Sequence, residues 1–174
     1  MGTAIVEVAI PRPAGELERL FEEHHGLVFR TAYRITGNAS DAEDVLQTVF
    51  LRLAGRGAST ASLEDPSSYL RRASINAALD VVRGRRSGEE LPADETLTGR
   101  SEPDRRELQD CLRRALARLS PREGEVFALR FLEGHSNSDI ARLLHMSQIW
   151  VAVTVHRTRR RLQREIRSYL GGKS

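Results

Sequence analysis

The chain has one cysteine, one lysine and only 5% aromatic residues among its 174 positions. A single cysteine, Cys111, excludes an internal disulfide and any cysteine-cluster metal site. No apolar run exceeds a handful of residues, far short of the roughly 20 that a helix needs to span a bilayer, so no membrane insertion is expected. The first residues show no basic segment followed by an apolar core, which argues against export and for a cytoplasmic protein. A glycine-rich phosphate loop, paired catalytic carboxylates and a Ser/His/Asp constellation are all missing. The five histidines are scattered, apart from His24 and His25. Those two neighbours point in different directions on a helix, so they suit packing or solvent better than a shared metal. No enzymatic activity, cofactor, metal or small-molecule substrate is therefore expected.

What is present is enough apolar residue (40%) to build a core and enough charge (29%) to segregate. The formal net charge of +3 is an average over unlike blocks. Residues 1–65 hold 6 basic and 10 acidic side chains, and residues 66–88 hold 5 and 1. Residues 89–110 hold 3 and 8, and residues 111–174 hold 13 and 5. The two basic blocks are candidate phosphate-binding surfaces, with a solvated helix face as the plain alternative for each. Nearly all the basic residues are arginine, a bias that a GC-rich source explains more simply than selection for base or phosphate recognition.

The hydrophobic pattern predicts an all-α protein. Residues 1–14 read as a tail containing a short alternating stretch. From Glu16, the stripe Leu17, Leu20, Phe21, Leu27, Val28 and Ile35 has helical period and stops at Gly37. Ser40 and Glu43 have capping-box spacing for a second helix, whose buried stripe is Val45, Leu46, Val49, Phe50 and Leu53. Its other edge carries Asp41, Asp44, Gln47 and Thr48. Residues 55–64 read as a loop. Asp65 and Pro66 open a third helix that runs past Arg83. Residues 87–103, acidic and broken by Pro92, Gly99 and Pro103, read as a flexible linker able to span up to roughly 50 Å. A stripe of Leu108, Cys111, Leu112, Ala115, Leu116 and Leu119 follows, which predicts a buried structural thiol. Ser120 and Glu123 then form a second capping box, with Gly134 as the stop. Ser136 to Leu144, a turn at His145-Met146-Ser147, and a long helix from Gln148 to about Leu170 have the layout of a helix-turn-helix.

Three blocks in this order resemble the bacterial RNA polymerase sigma factors of the sigma-70 family, in the compact extracytoplasmic-function (ECF) group. Asp41 to Arg52 resembles the polymerase-binding helix of sigma domain 2. Pro66 to Arg86, with Tyr69-Leu70, Arg72, Asn76 and Leu79-Asp80, resembles the helix that reads and opens the −10 element. Ala115 to Gly134 and His156 to Leu162 resemble the start and the closing basic run of sigma domain 4. The resemblance implies two small helical domains, sigma domain 2 over residues 15–86 and sigma domain 4 over 104–174. The implied partners are core RNA polymerase, through its clamp and flap regions, promoter DNA and an anti-sigma factor. Polymerase contacts are then expected from Asp41, Asp44, Gln47 and Phe50. Contacts to −10 DNA are expected from Arg71, Arg72, Asn76, Arg83, Arg85 and Arg86. Contacts to −35 DNA are expected from Ser136, Ser147, Gln148, Trp150, Thr154, Arg157 and Arg160. In the family an extruded non-template base sits in a pocket on domain 2, which the loop 55–65 would border, and the acidic linker threads toward the polymerase cleft.

The sequence departs from the family at the start of the recognition helix. The usual Ser-x-Gly-Thr-Val-Lys-Ser-Arg is here Ser147-Gln148-Ile149-Trp150-Val151-Ala152-Val153-Thr154, so two cations become Ala152 and Thr154. Ile149, Trp150 and Val153 put apolar surface where DNA should lie. They could touch thymine methyls, bind a protein, or pack into the domain core. The corresponding alternative for the whole chain is a sigma-like protein whose domain 4 serves protein–protein interaction in place of −35 DNA binding. His145 stands where the family turn has glycine, Ile75 where it often has Arg, and Tyr69 where it often has Trp.

Overall fold

The structure, a computed structural model, describes residues 14–55, 65–86 and 103–171. The expected tail, the loop between the second and third helices, and all of the expected linker before Pro103 lie outside the described residues, as do the side chains of Arg85 and Arg86. The described residues form seven α-helices: α1 (Ala14–Thr36), α2 (Ala39–Gly55), α3 (Pro66–Arg86), α4 (Pro103–Ala117), α5 (Pro121–Phe127), α6 (Asn137–Leu144) and α7 (Gln148–Gly171). A π-helical turn, Ala128–Leu132, continues directly from α5.

Most helix boundaries follow from side chains within four residues. Asp65 Oδ1 accepts the Ser68 amide at 3.0 Å, capping α3 behind Pro66. Hydrogen bonds from the Ser68 side chain, then its backbone, hold the Asp65 carboxyl below its ordinary pKa. Ser120 and Glu123 form the expected capping box at α5. The Ser120 amide bond to Glu123 is the main reason that carboxyl is also lowered. The Ser40–Glu43 box, in contrast, is not what starts α2. The helix begins one residue earlier, and Asn38 Oδ1 accepts the Asp41 amide at 3.1 Å. With Gly37 left-handed (φ 65°), Asn38 is the residue that arrives in the capping position.

One apolar cluster runs through both halves of the chain. Val28 and Ile35 of α1, Val45 and Leu53 of α2, and Leu70, Ile75 and Leu79 of α3 share it with Val126, Leu129, Ile140 and Val151 of the later helices. A smaller cluster of Ala115, Leu116, Leu119, Phe127 and Leu162 ties α4 and α5 to α7, and Cys111 is buried beside that seam as expected. The two helical units therefore pack side by side. They are in tight contact at Gly124, where a β-carbon would lie only 2.9 Å from Leu79 Cδ1 and 3.3 Å from Arg83 Nη2. Glycine lets α5 lie directly on α3.

Candidate functional site

Ser136 caps α6. Its hydroxyl accepts the Asp139 amide at 3.1 Å and the Asp139 carboxylate accepts the Ser136 amide at 3.3 Å. These Ser136 bonds, side chain first, hold Asp139 below its ordinary pKa, with Arg142 adding to the effect. The α6–α7 turn reverses at His145, which is left-handed at φ 52° and ψ 50°. There the Met146 amide reaches back to the Ala141 carbonyl at 2.9 Å, the bond pattern glycine ordinarily supports at a helix end. Ser147 opens α7 by accepting the Trp150 amide at 3.2 Å. Both serines expected to touch DNA are thus helix caps: Ser136 also donates its hydroxyl proton to the Asp139 carboxylate at 2.5 Å, whereas the exposed Ser147 hydroxyl keeps a proton to donate.

The phase of α7 then sorts its side chains. Val151, Thr154, Thr158 and Leu162 form the inward stripe, all buried. Thr154 therefore falls outside the DNA-facing set expected from the sequence: the 3.6-residue period turns it to the core with Val151 and Thr158. Opposite lie Ile149, Val153, His156, Arg160 and Arg164, with Gln148, Trp150 and Arg157 flanking them, all exposed. Ile149, Trp150 and Val153 are 79%, 38% and 42% exposed, so packing into the domain core is excluded for this trio.

The second expected surface, on α3, is occupied. Arg72 Nε donates to Glu125 at 3.0 Å and Asn76 Nδ2 donates to the same oxygen at 3.4 Å. Arg72 also donates to the Leu143 carbonyl at 3.1 Å. Arg71 pairs with Glu133, as does Arg34 at 3.0 Å, and Thr31 donates to that carboxylate at 3.2 Å. Arg83 pairs with Asp80 at 3.1 Å and reaches the Leu119 carbonyl at 3.5 Å. Glu125 and Glu133 are both almost fully buried. The π-helical turn delivers Glu133 to this position, and neither glutamate was among the residues expected to form a site. The available signal was an acid (Glu125) set between a glycine and an apolar run. Beside this contact, Val49, Arg52, Tyr69, Arg72 and Asn76 line a cavity of about 620 Å³, within the usual range for ligand sites.

On α2 the outward edge is Asp44, Gln47 and Leu51, the last 71% exposed. Asp41, expected on that edge, is instead buried, and Phe50, expected to meet polymerase, is buried with the inward stripe to which its spacing assigned it. Phe50 sits edge-on to Phe21 with ring centroids 4.9 Å apart, because its position in the helical turn faces α1. Leu51 takes its place on the outer face, an exposed leucine that the amphipathic pattern alone did not reveal. Among the described residues, no group of three His, Cys, Asp or Glu side chains is placed to hold a metal ion. Among the same residues no helix is long and apolar enough to cross a membrane.

Comparison with known proteins gives these surfaces a context. Residues 20–88 match the family Sigma-70 region 2, and residues 109–162 match Sigma-70, region 4. The RNA polymerase sigma-E factor of Streptomyces avermitilis is 33% identical over 159 residues, covering 88% of this chain and 86% of that protein. The ECF RNA polymerase sigma factor SigM of Mycobacterium tuberculosis is 30% identical over 148 residues, covering 84% and 75%. In fold, the chain is similar to the sigma factor RpoE of Bartonella quintana, solved in complex with the anti-sigma factor NepR. That likeness has a TM-score of 0.53 at 18% identity and covers 88% of this chain and 98% of that one. With both region matches in order and relatives of this identity along most of its length, the chain belongs to the ECF group of the sigma-70 family of RNA polymerase sigma factors.

Proposed function

We propose that the chain binds core RNA polymerase and directs it to promoters with −10 and −35 elements, so that transcription initiates there. The observation that carries this reading is the exposed, carboxylate-free α7 face of a helix-turn-helix, joined in one chain to a second arginine-bearing helix, α3. On α7, Ser147, Gln148, Trp150, Arg157 and Arg160 meet −35 DNA, with Ser136, at the start of α6, beside the flanking backbone. On α3, Arg71, Arg72, Asn76, Arg83, Arg85 and Arg86 serve the −10 element. The cavity beside Asn76 receives an extruded base, Tyr69 offering a ring to stack on and Asn76 a donor and acceptor for the base edge. The α2 face of Asp44, Gln47 and Leu51 docks on the polymerase clamp, domain 4 on the flap. The protein acts as an initiation factor in the cytoplasm and is not itself an enzyme. An anti-sigma factor is a fitting further partner, since a sigma factor of similar fold is known bound to one.

Use of Arg71, Arg72 and Asn76 on DNA requires that they release Glu125 and Glu133, so domain 4 must part from domain 2 before promoter opening. That occupied face also favours a second reading, in which domain 4 is a protein-interaction module and the chain is a decoy. Transcription by reconstituted holoenzyme from a library of promoter fragments separates the two. Initiation at fragments with −10 and −35 elements is expected, and it should be lost in Leu51→Asp, which disrupts core binding. A chain that binds core yet initiates on no fragment overturns the proposal in favour of the decoy.

A further inference from the structure

We infer that the first two turns of α7 read an A·T-rich −35 element through thymine methyl groups, with Ile149 and Val153 as the specificity-determining residues and Trp150 at their edge. The inference rests on the proposed sigma function and names the DNA chemistry that site selects.

Three observations carry it. Ile149 and Val153 stand exposed on one stripe, and the same stripe continues without a break into His156, Arg160 and Arg164. At 1.5 Å per residue, Arg160 lies about 16 Å along the axis from Ile149, so the apolar part can enter the groove while the arginines meet backbone phosphates. The sequence from Ile140 to Arg164 contains six arginines and no aspartate or glutamate. Arg159, Arg160 and Arg164 make no ion pair among the described residues, so the face is complementary to a polyanion. Finally, the part of a recognition helix that meets base edges here offers no cation at all between Gln148 and His156. Guanine is read chiefly by arginine or lysine at its O6 and N7, and neither is available there. Gln148 can pair with adenine N6 and N7, and the neighbouring apolar side chains fit the C5 methyl of thymine. An apolar protein partner would have to bury the flanking arginines unpaired, whereas DNA supplies their counter-charge.

The test uses holoenzyme made from the full chain and core polymerase, and promoters selected from a pool randomised over the −35 element. The selected element is expected to be A·T-rich. Replacing its thymines by deoxyuridine removes the methyl groups and leaves every base-pair hydrogen bond in place. Binding should then weaken about fourfold per contacted methyl, the equivalent of burying one carbon. In Ile149→Ala/Val153→Ala the same replacement should have no effect. Both side chains are exposed, so an unchanged thermal melt is expected to verify that the variant folds. Selection of a G·C-rich element, or equal binding of thymine and deoxyuridine promoters, overturns the inference while leaving the sigma function standing. Selection of no promoter at all overturns the proposed function itself. A variant that binds DNA normally but loses a protein partner overturns the inference in favour of protein docking.

Discussion

Two kinds of residue set the local energetics of this chain. His145 adopts φ 52° at the helix-turn-helix turn, a conformation that costs a non-glycine residue about 1 kcal/mol or more. His145→Gly, which removes that strain, is expected to raise the thermal midpoint by about 2–4 °C, read by a circular-dichroism melt. Asp65, Glu123 and Asp139 each sit at a helix start with a lowered pKa. A carboxyl lowered in the folded state stabilises the fold above its unfolded pKa, and this contribution fades as pH falls through the folded value. The midpoint should therefore hold from pH 7 to about 5 and drop below about pH 4. Asp139→Asn keeps the acceptor for the Ser136 amide and loses the titration, so its acid drop should be shallower in the same melts.

At the scale of the element, helical phase decides which side chains are available. The inward stripe of α7 places Thr154 in the core, and the outward stripe exposes Ile149 and Val153. On α2 the same logic buries Phe50 and exposes Leu51. Between elements, the α3–α5 contact depends on the missing side chain at Gly124. Gly124→Leu is expected to force the helices apart while favouring α5 itself, since glycine is a poor helix former. The measurement is small-angle scattering of the free chain, in which the radius of gyration should increase while far-UV circular dichroism stays the same.

For the whole molecule, the governing contact is between the two domains. Glu125 and Glu133 satisfy Arg72, Asn76, Arg71 and Arg34 as DNA phosphates and bases would. Glu125→Gln/Glu133→Gln should weaken the closed arrangement by at least one charge-assisted hydrogen bond. The free chain is then expected to bind single-stranded −10 DNA about tenfold or more tightly, measured by fluorescence anisotropy. The Leu79–Gly124 seam remains in that variant, so the two domain-opening substitutions act through different contacts.

The helices, the caps at Asp65 and Ser120, the turn at His145 and the sigma-factor family were all legible in the sequence alone. Each depends on residues within a few positions of one another, or on motifs in a familiar order. Even the exceptions are local competitions: Asn38 displaced Ser40 as the α2 cap because the Gly37 turn put it in place. The burial of Asp41, the π-helical turn and the occupation of α3 were not legible. Arg72 and Glu125 are 53 positions apart, and Arg34 and Glu133 are 99 apart. No periodicity or spacing pairs such residues. The sequence by itself determined what each helix is and which family it serves. Only the packing of the two domains on one apolar core decided which arginines are engaged in the free chain, because burial of a carboxylate demands whatever cation the fold brings beside it.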